Sequence, residues 1–323
     1  MKRIAVLTSG GDSPGMNAAV RAVVRTGNAL GYQMFGVRHG YAGLINGDLI
    51  PLGPRDVGGI VHLGGTVLGT SRCDHFRSLE GQRAGLAHLY DNEIESLIII
   101  GGNGSQAGAF ALFRQGFPTV GIASTIDNDL CGTDMCIGAT TAIDIALEAV
   151  DRLRVTASAH ERAFLVEVMG RHYGFLALMT AIAGGAEAVV IPEVETAPED
   201  LIRQLQASHA RGKSHAIVVV AEGARYNAEA LNAYFAQQHL RPEYELRVTR
   251  LGHVQRGGHP GIYDRLLASR LGEAAVLQIH DSQTGVMVGL QGRSIEPTPL
   301  SHIAEARPAL DPHLIDLAKS LAT

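Results

Sequence analysis

The sharpest chemical signal in the 323 residues is Ser124-Thr125-Ile126-Asp127-Asn128-Asp129, two carboxylates two residues apart directly after an apolar run. At the end of a buried strand, one carboxylate can accept the proton of a substrate hydroxyl while the other works through a divalent cation. A loop of simple Asx-turns has the same composition, so the neighbouring motifs decide. Thr8-Ser9-Gly10-Gly11-Asp12-Ser13-Pro14-Gly15-Met16-Asn17 follows the first apolar run. Its paired glycines let backbone N–H groups approach a phosphate ahead of a helix N-terminus. Ile100-Gly101-Gly102-Asn103-Gly104-Ser105 repeats that arrangement. A third stretch, Gly64-Gly65-Thr66-Val67-Leu68-Gly69-Thr70-Ser71-Arg72, imitates a P-loop with threonine where the lysine belongs. No lysine ends a glycine-rich turn anywhere in the chain, which excludes the Walker A mechanism. Three such turns within the first 105 residues predict a polyphosphate lying across several strand ends.

Two later turns supply cations: Val168-Met169-Gly170-Arg171, and Leu251-Gly252-His253-Val254-Gln255-Arg256-Gly257-Gly258. Arg162 and Arg247 flank strands nearby, and Glu222 ends another strand, where a carboxylate can accept hydroxyl bonds from a sugar. A rival reading comes from Gly102-x-Gly104-x-x-Ala107, which formally satisfies the dinucleotide fingerprint of a dehydrogenase. That fold wants an acidic residue at the end of the next strand, and Ser124-Thr125 stands there instead.

These turns need strands and helices to hold them. Apolar runs at 4–7, 97–100, 119–123, 164–168, 188–191, 216–220 and 246–249 predict buried strands. Between them, 17–30, 141–153, 200–210, 228–238 and 264–278 predict helices. Continuous apolar strands alternating with helices indicate an α/β fold with mainly parallel sheets covered on both faces. The length suits two lobes, and the 39 glycines, about 12% against a usual ~7%, fit a chain with many tight strand-to-helix turns.

Composition narrows the function classes. The net charge is −5, from 27 basic and 32 acidic residues, so no general polyanion-binding surface is predicted and nucleic acid is not a partner. Aromatics are 5% and Trp is absent, which leaves little for base stacking. The basic residues are 24 arginines and only Lys2, Lys213 and Lys319. Coding bias gives such a ratio, and so does bidentate phosphate recognition. Cys73, Cys131 and Cys136 are too few and too irregularly spaced for a disulfide framework or a zinc site, so free thiols are predicted. No signal peptide or membrane span is evident in the sequence, and a cytoplasmic protein is expected.

TSGGDSPGMNAAVR, GGNGS, TIDND, VEVMGR and GHVQRGG, in this order, resemble the bacterial-type ATP-dependent 6-phosphofructokinases in near-constant register from residue 1 to about 280. The resemblance implies two doubly wound lobes with the chain interleaved between them. A nucleotide-binding lobe would be 1–138 plus 251–300, and a sugar-phosphate lobe 139–250 plus 301–323. It implies phosphoryl transfer from ATP–Mg²⁺ to the 1-hydroxyl of fructose 6-phosphate, in a homotetramer whose active sites are shared between subunits. By motif, Asp127 is the general base, Thr125 a neighbouring hydroxyl contact, and Arg72 and Arg171 the cations of the catalytic set. Gly11, Arg72, Cys73, Gly102, Asn103, Gly104 and Ser105 line the ATP site. Thr125, Ile126, Asp127, Met169, Gly170, Arg171, Glu222, His253, Val254, Gln255 and Arg256 hold the sugar phosphate. Arg162 and Arg247 belong to the same sugar-phosphate set and resemble residues that reach across from a neighbouring subunit.

The chain departs from that pattern at three places. Asn103 stands where the family's ATP users carry an aspartate that helps to place Mg²⁺; Asp129 and Asn103 are the metal residues the resemblance implies, and either Asp129 with phosphate oxygens suffices or the metal site is weakened. Ser124 stands where ATP users have glycine and many pyrophosphate-dependent relatives lysine. Gly104 is the small residue typical of ATP users. Arg21 and Arg25, four apart on one helix face, resemble with Arg154, Glu187, Arg211 and Lys213 an allosteric nucleotide site, but the stretch 51–59 departs from the regulated pattern. The alternatives are a pyrophosphate-dependent phosphofructokinase, a kinase for a related phosphosugar, and a weakly catalytic regulatory paralogue.

Overall fold

Runs of Ile, Val and Leu bounded by glycine have no polar side to turn to water, so they are stable only as strands covered on both faces. The computed structural model describes residues 1–237, 244–305 and 308–322. Its strands are β1 (Arg3–Ser9), β2 (Gln33–Val37), β3 (Leu49–Leu52), β4 (Ser96–Gly101), β5 (Thr119–Ala123), β6 (Arg162–Val168), β7 (Ala188–Val190), β8 (Ala216–Ala221), β9 (Glu245–Arg250), β10 (Val286–Gln291) and β11 (Ser294–Pro299). The helices are α1 (Met16–Ala29), α2 (Gly40–Ile45), α3 (Leu79–Asp91), α4 (Asn103–Arg114), α5 (Ala139–His160), α6 (Phe175–Ala183), α7 (Pro198–Ala210), α8 (Ala228–Gln237), α9 (Ile262–His280), α10 (Leu300–Glu305) and α11 (Pro312–Leu321). Gln238, predicted to end a helix, lies outside the described residues.

The chain divides into two units, Met1–Thr141 with Arg256–Pro308 and Ala142–Gln255 with Ala309–Thr323. The first holds a seven-stranded sheet in the order β11-β10-β5-β4-β1-β2-β3. Its inner strands are parallel, while β3 and β11 return antiparallel at the two edges. The alternation of side chains sends Ile4, Val6, Ile98 and Ile100 to the layer of α1 and α9. Ala5, Leu7, Leu97 and Ile99 go to the opposite layer, with Leu89, Leu112 and Phe117. Each fully buried aliphatic side chain is worth roughly 1.5–3 kcal/mol of transfer free energy, so both faces contribute. The second unit holds a parallel sheet in the order β7-β8-β6-β9. Phe164, Val166 and Val168 face one core, and Ala163 and Leu165 the other.

The edge hairpins β2–β3 and β10–β11 were not predicted. Pro51, Pro297 and Pro299 disguise their outer strands, and an edge strand tolerates a residue with no N–H to give. Helix α5 runs seven residues past its predicted end, through a polar stretch. The stretch 64–72 is not a strand-end turn: it sits in irregular chain between β3 and a 3₁₀ turn at Asp74–Arg77. Within the first unit, the N-terminus of α5 is held by Asp264 of α9. That buried carboxylate accepts from the N–H of Gly138 and of Thr141, each at 2.8 Å, and from Thr141 Oγ1 at 2.5 Å.

Candidate active site

In the first unit β5, β4 and β1 lie side by side, with Ser9 paired to Gly101 and Gly101 to Ala123, so their carboxyl ends release three turns next to one another. The strand order changes direction between β4 and β1, and ligands of open α/β sheets bind at such a switch point. The buried Ser105 side chain packs beneath the glycines of two of these turns, Gly10 and Gly101. Its carbonyl accepts the buried Tyr41 hydroxyl at 2.6 Å. Burial pushes that phenol above its ordinary pKa, so it stays a donor. The Gly104 Cα faces open space.

Irregular chain at 63–72 is sewn onto the first turn. Asn17 Nδ2 donates to the carbonyls of Leu63 and Gly64, and its Oδ1 accepts from Val67 N–H. Thr8 Oγ1 bonds Thr66 Oγ1 at 2.8 Å, and Thr70 Oγ1 donates to Gly10 O at 2.7 Å. Arg72, two residues on, is exposed, and its guanidinium enters no ion pair among the described residues. Arg256 lies here too. Its Nη1 donates to Asp12 O at 3.2 Å, and a side chain at Gly11 would collide with that guanidinium. The structure sets Arg256, which the motif groups with the sugar-phosphate residues, against the first glycine turn. Its buried Nε finds no acceptor among the described residues, an arrangement suited to an anion.

The loop after β5 is gripped from several sides. Ser124 Oγ pairs with Ser13 Oγ at 2.7 Å, both fully buried. Asp127 is 2% exposed, and its N–H donates to Thr125 Oγ1 at 3.2 Å. Asn128 adopts the left-handed conformation (φ 53°), accepts from Cys136 N–H and donates to Asp134 O. Asn103 Nδ2 donates to Asp129 O at 3.1 Å. Burial first, then the charge of Asp129, pushes the Cys136 thiol well above its usual range.

In the second unit β8, β6 and β9 are neighbours, and the turn after β6 carries Arg171. Arg171 is left-handed (φ 51°), and its N–H donates to Glu222 Oε1 at 3.0 Å. The Arg171 carbonyl presses on Gly223, where any Cβ would overlap backbone. Gln255 is fully buried, and its amide accepts from Met169 N–H at 2.8 Å while Nε2 points to Ala142 O. It therefore positions the Met169 turn and presents no side chain to a substrate. His253 and Val254 are exposed. Arg162 and Arg247 lie within β6 and β9, not beside them, and both engage the Glu245 carboxylate, Arg162 at 2.6 Å. The Arg162 hydrogen bond holds that carboxyl below its ordinary range.

Two further motif members turn inward within the first unit: Ile126 is 1% exposed, and Cys73 packs against its core. Arg21 and Arg25 stand on α1 of that unit. Arg154, Glu187, Arg211 and Lys213 stand in the second, where buried Glu187 accepts from Ile217 N–H and lies 3.4 Å from Lys213 Nζ. Sequence reasoning did not single out Glu245 or Asp264, nor roles for Ser13, Asn17, Tyr41 and Thr70. Their partners are distant in sequence, so no local pattern marks them.

Glycine turns, a sheltered carboxylate and arginines at the carboxyl ends of parallel strands define a phosphate-handling α/β protein. The phosphofructokinase family model matches residues 3–279. The chain is 50% identical over 323 residues to ATP-dependent 6-phosphofructokinase 1 of Thermus thermophilus, covering all of both chains. It is 48% identical over 325 residues to the ATP-dependent 6-phosphofructokinase of Thermotoga neapolitana, again over both full lengths. Among solved structures, Pichia pastoris phosphofructokinase in the T-state aligns with a TM-score of 0.88 at 37% identity, over 94% of this chain and 35% of that one. This chain thus spans about a third of the Pichia polypeptide. A pyrophosphate-dependent phosphofructokinase from Marinobacter aquaeolei aligns with a TM-score of 0.86 at 22% identity, over 100% and 92% of the two chains, and shares the fold. The chain belongs to the phosphofructokinase family. That family membership sets aside the dehydrogenase reading.

Proposed function

We propose that the chain is an ATP-dependent 6-phosphofructokinase, moving the terminal phosphoryl group of ATP to the 1-hydroxyl of fructose 6-phosphate to give ADP and fructose 1,6-bisphosphate. The observation that carries this reading is the full-length identity to bacterial enzymes of that name, joined to an intact set of base and cations.

Asp127 takes the proton of the attacking hydroxyl, whose oxygen bonds the γ-phosphorus as the bond to the leaving ADP oxygen breaks. Arg72 neutralises charge on the migrating group; phosphoryl transfer is mostly positioning and charge stabilisation. Backbone N–H groups of the turns at Gly11 and at Gly102, Asn103 and Gly104 hold the donor phosphates, with Ser105, whose N–H serves the Gly102 carbonyl, packed beneath them. Thr125 steadies the Asp127 loop. Met169, Gly170 and Arg171, with Glu222, His253 and Val254, recognise the acceptor sugar phosphate, and Arg256 attends the first glycine turn.

The oxygen donors present fit Mg²⁺, which favours one or two carboxylates together with phosphate oxygens. The half-buried Asp129 carboxylate and Asn103 Oδ1, left open by the bond that Nδ2 makes, would hold it. When bound it supplies charge neutralisation on the phosphate oxygens. Assembly as a homotetramer in the cytoplasm, with Arg162 and Arg247 serving a neighbouring subunit, belongs to the same proposal. Among the described residues no helix is long and apolar enough to cross a membrane. An allosteric role for Arg21, Arg25, Arg154, Glu187, Arg211 and Lys213 is proposed on the resemblance of their positions.

The test is fructose 1,6-bisphosphate formation by the purified chain with ATP–Mg²⁺ and pyrophosphate–Mg²⁺ side by side. Product with ATP alone is expected. Product with pyrophosphate alone would move the chain to the other donor class, and none with either would make it a non-catalytic relative.

A further inference from the structure

Asn103 is the first residue of α4, where a carboxylate gains most from the positive end of a helix, yet the first turn of α4 has no acidic residue. The side chain is used differently. Its Nδ2 donates to the carbonyl of Asp129, a bond that requires an N–H, which an ionised carboxylate lacks. That carbonyl belongs to the short loop carrying Asp127 and Asp129. The residue before it, Asn128, is left-handed and uses its own amide to tie the loop to Cys136 N–H and Asp134 O. One asparagine braces the loop from within, and the other fastens it to the N-terminus of α4.

We propose that Asn103 is a positioning residue that acts through the Asp127–Asp129 loop, its amide fixing the Asp129 backbone so that the Asp127 carboxylate keeps its register against the turns of β1 and β4. This rests on the reading of Asp127 as the base. An aspartate at 103 would suit the helix end and offer a second carboxylate to a cation, but it would lose the donor and set a negative charge against a carbonyl oxygen. The amide at this position is therefore matched to the loop it holds.

The experiment compares Asn103→Asp, Asn103→Ala and Asn103→Gln with the unaltered full-length chain by amide hydrogen exchange and steady-state kinetics. Exchange over residues 125–136 speeds up in the Asp and Ala variants and is partly restored by Gln, which keeps a donor. Turnover falls about tenfold to a hundredfold in Asp and Ala, the scale of a small misplacement of a reacting group, while the KM for fructose 6-phosphate stays near that of the unaltered chain. Unchanged exchange over 125–136 in Asn103→Ala overturns the proposal. So does an Asn103→Asp variant that turns over faster at a lower Mg²⁺ requirement. The exchange arm needs no substrate, so it stands or falls separately from the assignment of donor and acceptor.

Discussion

Asp127 sits in a loop whose side chains mostly serve to keep it still. Ser124 is bolted to Ser13, Asn128 ties the loop to itself, and Thr125 Oγ1 takes the Asp127 N–H. With the loop held this way, removing the Asp127 carboxylate should cost little beyond the proton transfer proposed for it. Asp127→Ser is therefore expected to lower kcat by about 10²–10⁴-fold while calorimetric binding of fructose 6-phosphate changes little. Near-normal turnover would remove Asp127 from its role. The roles proposed for Asp127 and Asp129 come from the sequence, because their types and their place after an apolar run suit that chemistry. Motif membership reads less well. Gln255, Ile126 and Cys73 belong to matching stretches but point into the protein. A motif preserves the residues that hold a turn as well as those that touch a ligand, and one-dimensional spacing does not separate the two. Arg256 shows the same limit, since its partner Asp12 lies 244 positions away.

At the scale of strands, the parallel pairing of β6 and β9 sets Arg162 directly opposite Glu245, and Arg247 follows two residues later on the same face. One exposed carboxylate thus occupies two guanidiniums that the resemblance assigns to the sugar phosphate of a neighbouring subunit. Glu245→Gln is expected to lower the half-saturating fructose 6-phosphate concentration by a few-fold with kcat unchanged. Exposed ion pairs are weak competitors, and the gain should shrink as salt rises. Acid has the same effect as the substitution. The Glu245 carboxyl is depressed in the folded chain, so its ion pairs are intact above the ordinary carboxylate range and are lost as pH falls through the folded value. Saturation curves that superimpose for the two proteins at neutral pH would refute the competition. The apolar runs of β1, β4, β5, β6, β7, β8 and β9 are plain in the sequence. The antiparallel pairs β2–β3 and β10–β11 are not, and proline in their outer strands is tolerated because one edge faces no neighbour.

Across the whole chain, neither unit is a contiguous piece of sequence. The first is begun by residues up to 141 and finished by 256–308, with the first crossing inside α5 and the second inside the 3₁₀ turn at Gly252–Arg256. A chain cut after residue 255 lacks α9, which covers Ala19, Ala22 and Val23 of α1, and lacks β10, which pairs with β5. That fragment is expected to aggregate, or to show no cooperative thermal transition in near-ultraviolet circular dichroism; a sharp transition would show that the first unit closes without its later half. Two lobes could be anticipated from length and from alternating strand and helix patterns, but the residues where the chain changes unit carry no compositional mark. The interleaving also sets an order in time. During synthesis β5 is complete roughly 160 residues before β10 emerges, and at about 5–20 residues per second the ribosome takes some 10–30 s to supply it. For that interval the Val120–Ile122 edge stands open to any passing strand, so the newborn chain is most in need of a chaperone while its second unit is being translated.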